Sequence, residues 1–138
     1  MTDFCTSELD AVIKKIRAYR QAVETAIPEI LTAGAEVLVQ TQKEEMESMG
    51  IRQMKNSGDT IDSIKAYKLK KDKEGNSYID VYPKGKNRRG ERNAEVAFKL
   101  EYGTSKSPAY PWMRMANVKS LDELKAKEIE IWNKHKGE

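Results

Sequence analysis

Five basic side chains stand within nine residues, Lys84, Lys86, Arg88, Arg89 and Arg92 in KGKNRRGER, against one acid, Glu91. Lys and Arg at that density attract phosphate without reading a base, because the attraction needs only charge. Three readings of this run stay open: a solvated, mobile hairpin extension, a contact to an acidic neighbouring subunit, or a contact to DNA phosphates. Acidic pairs such as Asp59/Asp62 and Glu44/Glu45 exist. A carboxylate pair without a pocket or metal partner is only a solvated face. One histidine, His135, and one cysteine, Cys5, leave no material for a His/Cys metal cluster, a histidine triad or an intrachain disulfide. Neither G-x-x-x-x-G-K-[ST] nor G-x-G-x-x-G occurs, so a nucleotide-cradling loop has no support. The expectation is a chain with no catalysis, cofactor or metal.

Composition points the same way. At 138 residues the chain has the length of one domain. Charged residues make up 34%, well above the usual ~25%, so much of the surface is solvated or faces a partner. The net charge of +3 is too balanced for a dedicated nucleic-acid binder. No apolar run reaches the ~18 residues of a membrane span. The opening MTDFCTSELD has neither the basic nor the apolar region of a secretory signal. A lone Cys5 fits a reducing compartment.

The elements that must position these residues begin with a stripe. Leu9, Val12, Ile13, Ile16, Tyr19, Val23, Ile27, Ile30, Leu31, Gly34, Val37 and Leu38 follow steps of three and four, as one helix face does. Thr6 and Ser7 are suitable caps. Pro28 interrupts the stripe without shifting its phase, which favours one kinked helix over a hairpin folding back there. Such a helix, about 50–60 Å long, outreaches a compact domain of this size. Part of it is expected to project and to meet a partner subunit. Residues 46–60 lose the period and read as a loop, with Met46, Met49 and Met54 as packing material.

Residues 61–70 and 77–82 read as two strands around the turn 72–76, with Pro83 closing the second. Residues 94–102 fit either a strand or a short helix between an Asn93 cap and Gly103. Pro111 stands where a helix can begin. Ser120–Glu123 forms a second, clearer start as a capping box, with Leu121, Leu124, Ile129 and Trp132 in helical spacing after it. The sum is one α+β domain, 1–138: a long N-terminal helix, an antiparallel hairpin, a short helix and a C-terminal helix.

Three segments carry a resemblance: SGDTIDSI at 57–64, VAFKLEYGTSK at 96–106 and PAYPWMRMA at 108–116. Their order and spacing resemble the small head–tail joining proteins of long-tailed bacteriophages and prophages, also called tail-completion or minor tail components. That family's hallmark is Y-A-x-x-(V/L)-E-(Y/F)-G-T-S-K followed by P-A-x-P-F-(L/M)-R-P-A. Val96 stands where Tyr is usual, Trp112 where Phe is usual and Met115 where Pro is usual. The resemblance favours a helix at 94–102. It implies a structural protein of the virion neck, assembled in the host cytoplasm, with no membrane role. Its partners would be head-connector or portal-adaptor proteins, tail-tube or tail-terminator proteins, and further copies of itself in a ring.

Glu101, Tyr102, Gly103, Thr104, Pro108, Pro111 and Trp112 are the candidate interface residues. Two prolines stiffen the loop, and a rigid aromatic segment anchors an interface at little entropic cost. The alternative for Tyr102 and Trp112 is that they plug the core. Glu101 is expected to pair at the surface with Lys99, Arg92 or Lys106. For the 84–92 loop the resemblance implies weak, non-specific contact with passing DNA. The competing function is a small non-specific nucleic-acid-binding protein using that loop.

Overall fold

The computed structural model describes residues 6–54 and 57–136, so Cys5 lies outside the described residues. Helix α1 (Thr6–Ser48) runs unbroken for 43 residues, about 65 Å. Thr6 opens it and Ser7 lies within it. Pro28 does not end it. The proline forgoes one backbone hydrogen bond, and Thr32 Oγ1 donates to the Pro28 carbonyl at 2.8 Å. Its counterpart is helix α4 (Trp112–His135), 24 residues and about 36 Å.

The two helices pack antiparallel. Glu29 of α1 holds Lys134 at 2.7 Å and the His135 ring, while Glu45 holds Lys119. Between these clasps a Cβ on Gly34 would come to 3.3 Å from Leu124 Cδ2. Leu9, Val12, Ile16, Tyr19, Val23, Ala26, Ile30, Ala33 and Val37 alternate steps of three and four without a break, the heptad pattern of a coiled-coil seam. Helix α4 covers the later part of that seam, where Ala26 and Val37 are buried. Cover ends where Trp132 meets Tyr19 edge-on, with ring centroids 5.5 Å apart. The first turns of α1 extend past it.

The stretch expected as a loop is largely ordered into short helix. Gly50, at φ 74°, ends α1, a 3-10 turn follows at Ile51–Gln53, and α2 spans Ser57–Asp62. Burial of Met46, Ile51 and Ile61 in one core drives this, and none of the three is periodic in sequence. Arg52 locks it by bridging Glu47 at 2.6 Å and Asp62 at 2.8 Å. Met46 is fully buried, with Met49 and Met54 beside it.

The expected strand 61–70 is likewise corrected, because its first two residues belong to α2. Strand β1 (Ile64–Ala66) pairs antiparallel with β4 (Val81–Pro83), and β2 (Lys70–Lys71) with β3 (Ser77–Tyr78). Ile64 faces Pro83 whereas Lys70 faces Tyr78, so the first strand carries one extra residue between the two ladders, as a bulge does. The turn holds as expected: Asp72 Oδ1 accepts from Glu74 N at 2.9 Å and Asn76 N at 2.8 Å, with Gly75 at φ 85°.

Residues 93–102 are helical, as α3 (Asn93–Tyr102). Asn93 is not its cap. Arg92 holds that position, and the buried Asn93 amide donates instead to the Lys84 carbonyl at 2.9 Å. The capping box at Ser120 does not start a helix either. Ser120 is buried in mid-α4, and its Oγ donates to the Asn117 carbonyl at 3.3 Å. Met46, Ile51, Ile61, Ile64, Ala97 and Trp112 make the main core, at the end of the molecule where α1 finishes and α4 begins.

Candidate interaction surfaces

The segment that joins α3 to α4 is built as a knot. Glu101 is buried, and its carboxylate accepts from Met113 N at 2.7 Å and Arg114 N at 3.2 Å. Two of the N–H groups that open α4 are thereby satisfied, and the negative charge sits at the positive end of the helix dipole. The expected surface pairing of Glu101 with Lys99, Arg92 or Lys106 is thus replaced by an internal cap. Gly103 turns the chain at φ 76°, and a Cβ there would lie 2.9 Å from Ala109 N and 3.0 Å from Ser107 O. Both the dihedral angle and the crowding demand glycine. Thr104 and Ser107 bridge each other, and Tyr110 N donates to Leu100 O at 2.6 Å.

Trp112 is not a surface anchor. It is 0% exposed, and its indole Nε1 donates to the Ala97 carbonyl at 3.0 Å. An apolar ring with one polar handle fits that position because the handle finds a partner. Tyr102 lies the other way, 64% exposed beside Phe98 at 65%, with ring centroids 4.8 Å apart. Thr104 and Pro108, with Lys99, Leu100 and Tyr110, line a neighbouring groove of about 580 Å³. Pro111 is half-buried at the entry to α4, its carbonyl accepting from Met115 N at 3.1 Å. Sequence reasoning missed Phe98 as a surface residue. Its spacing of four from Tyr102 on a helix was the signal that pairs them.

The 84–92 loop is tied down. Buried Asn87 accepts from Arg89 N and Glu91 N, both at 3.0 Å, and donates to Glu91 Oε1 at 3.2 Å. Arg88 donates to Asp59 through its backbone N–H and its guanidinium, at 2.8–3.0 Å. Those hydrogen bonds hold the Asp59 carboxyl at about 2, below its ordinary 3.8. Hydrogen bonds from Arg52 lower Asp62 in the same way. The Asp59/Asp62 pair is therefore two separate ion pairs. Arg92 leans 3.5 Å from Glu95. Lys84 lies over the Tyr67 ring, and Lys86 and Arg89 have no carboxylate partner among the described residues.

A further exposed apolar surface lies on the first turns of α1. Ile16 is 62% and Tyr19 64% exposed, with Leu9 and Val12 also open. From them the seam runs into a groove of about 280 Å³ lined by Tyr19, Val23, Ile27, Ile129 and Trp132. Among the described residues, no three His, Cys, Asp or Glu side chains gather as a metal site, and no helix is long and apolar enough to cross a membrane. No family model, curated protein or solved structure matches the chain.

Proposed function

We propose that the chain is a structural assembly protein that joins a phage head connector to the tail, one subunit of a neck ring, with no catalytic step. The observation that carries this reading is the uncovered α1 seam: Leu9, Val12 and Ile16 continue a coiled-coil pattern past the point where Trp132 of α4 meets Tyr19. A strict heptad repeat exposed on a helix projecting beyond its core is suited to another protein surface. A second apolar surface, Phe98 with Tyr102, lies at the opposite end of α1, where that helix meets the core. Different patches at opposite ends suit the head-to-tail contacts of a closed ring. The knot at 101–112 supports the reading differently, by presenting Tyr102 from a stiff base.

On this reading the neighbours are portal-adaptor or connector proteins on one side and tail-tube or terminator proteins on the other. The protein reaches the virion after assembly in the host cytoplasm. Deleting the gene from the phage or prophage that carries it should leave filled heads and finished tails unjoined in electron micrographs, with the wild-type chain restoring joined particles. Intact virions from the deletion would overturn the reading.

A further inference from the structure

The basic run at 84–92 is one edge of a larger charged region. Residues 64–92 hold ten Lys and Arg against four Asp and Glu, +6 in a chain whose total is only +3. The rest of the protein is therefore net acidic. The β1–β4 ladder explains how the charge is gathered. Ile64 and Pro83 are paired and buried, so their neighbours Lys65 and Tyr82, also paired, turn outward. Tyr67 stacks on Tyr82 with centroids 4.1 Å apart, and Lys84 lies 5.4 Å over Tyr67. Lys65, Lys84 and Lys86 then line one concavity of about 450 Å³ with Asp59, Asp62, Ser63 and Asn93. Arg88 and Arg52 neutralise the two acids there, as described above, whereas the three lysines have no carboxylate partner among the described residues. Four further exposed lysines follow on the hairpin between 68 and 73.

We infer that this outer sheet face is a contact surface for the phosphate backbone of duplex DNA, engaged without base readout. The inference stands on the charge of the hairpin and not on the assembly reading. Surplus lysines on mobile stems suit a polyphosphate, which asks for charge alone. No aliphatic or aromatic side chain lines the concavity, and three of its lining residues are lysines. The side chains are Lys, a point charge, rather than the Arg forks that read guanine.

The test is fluorescence anisotropy of the full chain with a labelled duplex across a salt series, with poly-glutamate as the competing probe. Three phosphate contacts give a log–log slope of about −2.7, so affinity should fall at least ~40-fold between about 50 and 200 mM salt. The triple variant Lys65→Gln/Lys84→Gln/Lys86→Gln should lose most of that slope while keeping its circular dichroism. The charge-matched control Lys14→Gln/Lys15→Gln/Arg17→Gln, on α1, should keep it. Equal loss in both variants would reduce the effect to net charge and overturn the assignment. So would tighter binding to poly-glutamate than to DNA, or no salt-dependent DNA binding at all.

Discussion

One heptad repeat runs from Leu9 to Val37 of α1, and its two halves are put to different uses. From Ala26 to Val37 the repeat is covered by α4, whose side chains clasp α1 at two points: Lys134 and His135 on Glu29, Lys119 on Glu45. From Leu9 to Ile16 the same spacing of the same residue types stays exposed, and Tyr19, edge-on against Trp132, marks the limit of cover. The difference lies in the length of α4, not in α1. The α3–α4 knot teaches the complement. There Glu101, Gly103 and Trp112, candidates for an outward role, are spent on internal geometry, while Tyr102 with its neighbour Phe98, Thr104 and Pro108 remain at the surface.

Replacing a residue of each kind sharpens that contrast. Trp112→Ala should show the largest effect, about 3–5 kcal/mol lost in chemical denaturation, because a fully buried ring leaves a cavity and its hydrogen bond to the Ala97 carbonyl is lost. A loss under about 0.5 kcal/mol would return Trp112 to the surface class. Acid should act next and locally. Asp59 is ordinary in the unfolded chain at 3.8 and held at about 2 when folded, so its contribution is full above 3.8 and lost as pH falls towards 2. Amide exchange in the 84–92 loop should quicken across that window, and Asp59→Asn should remove the dependence. An unchanged loop at pH 2 would break the assigned tether.

The sequence made long-period features legible and hid those made by distant partners. The α1 stripe, its passage through Pro28 and the Asp72 turn were readable because each is local in cause. Helix α2 was not: Asp59, Thr60 and Asp62 are fastened by Arg88, Asn93 and Arg52 from other parts of the chain. Asn93 and Ser120 misled for a related reason. Both are capping residue types, but Asn93 is recruited to fasten the 84–92 loop, and Ser120 is small enough to be buried in mid-helix. For the surfaces, the basic run was visible as a string, whereas its extension through Lys65 needed the strand register to appear.

The open seam is tested most directly by Val12→Ser/Ile16→Ser, measured for thermal stability and for head–tail joining when supplied to the deletion strain. If α1 is held open for a partner, stability stays within about 0.5 kcal/mol of the wild type and joined particles are lost. Joined particles at the wild-type level, or a chain that unfolds, would contradict a seam kept free for assembly.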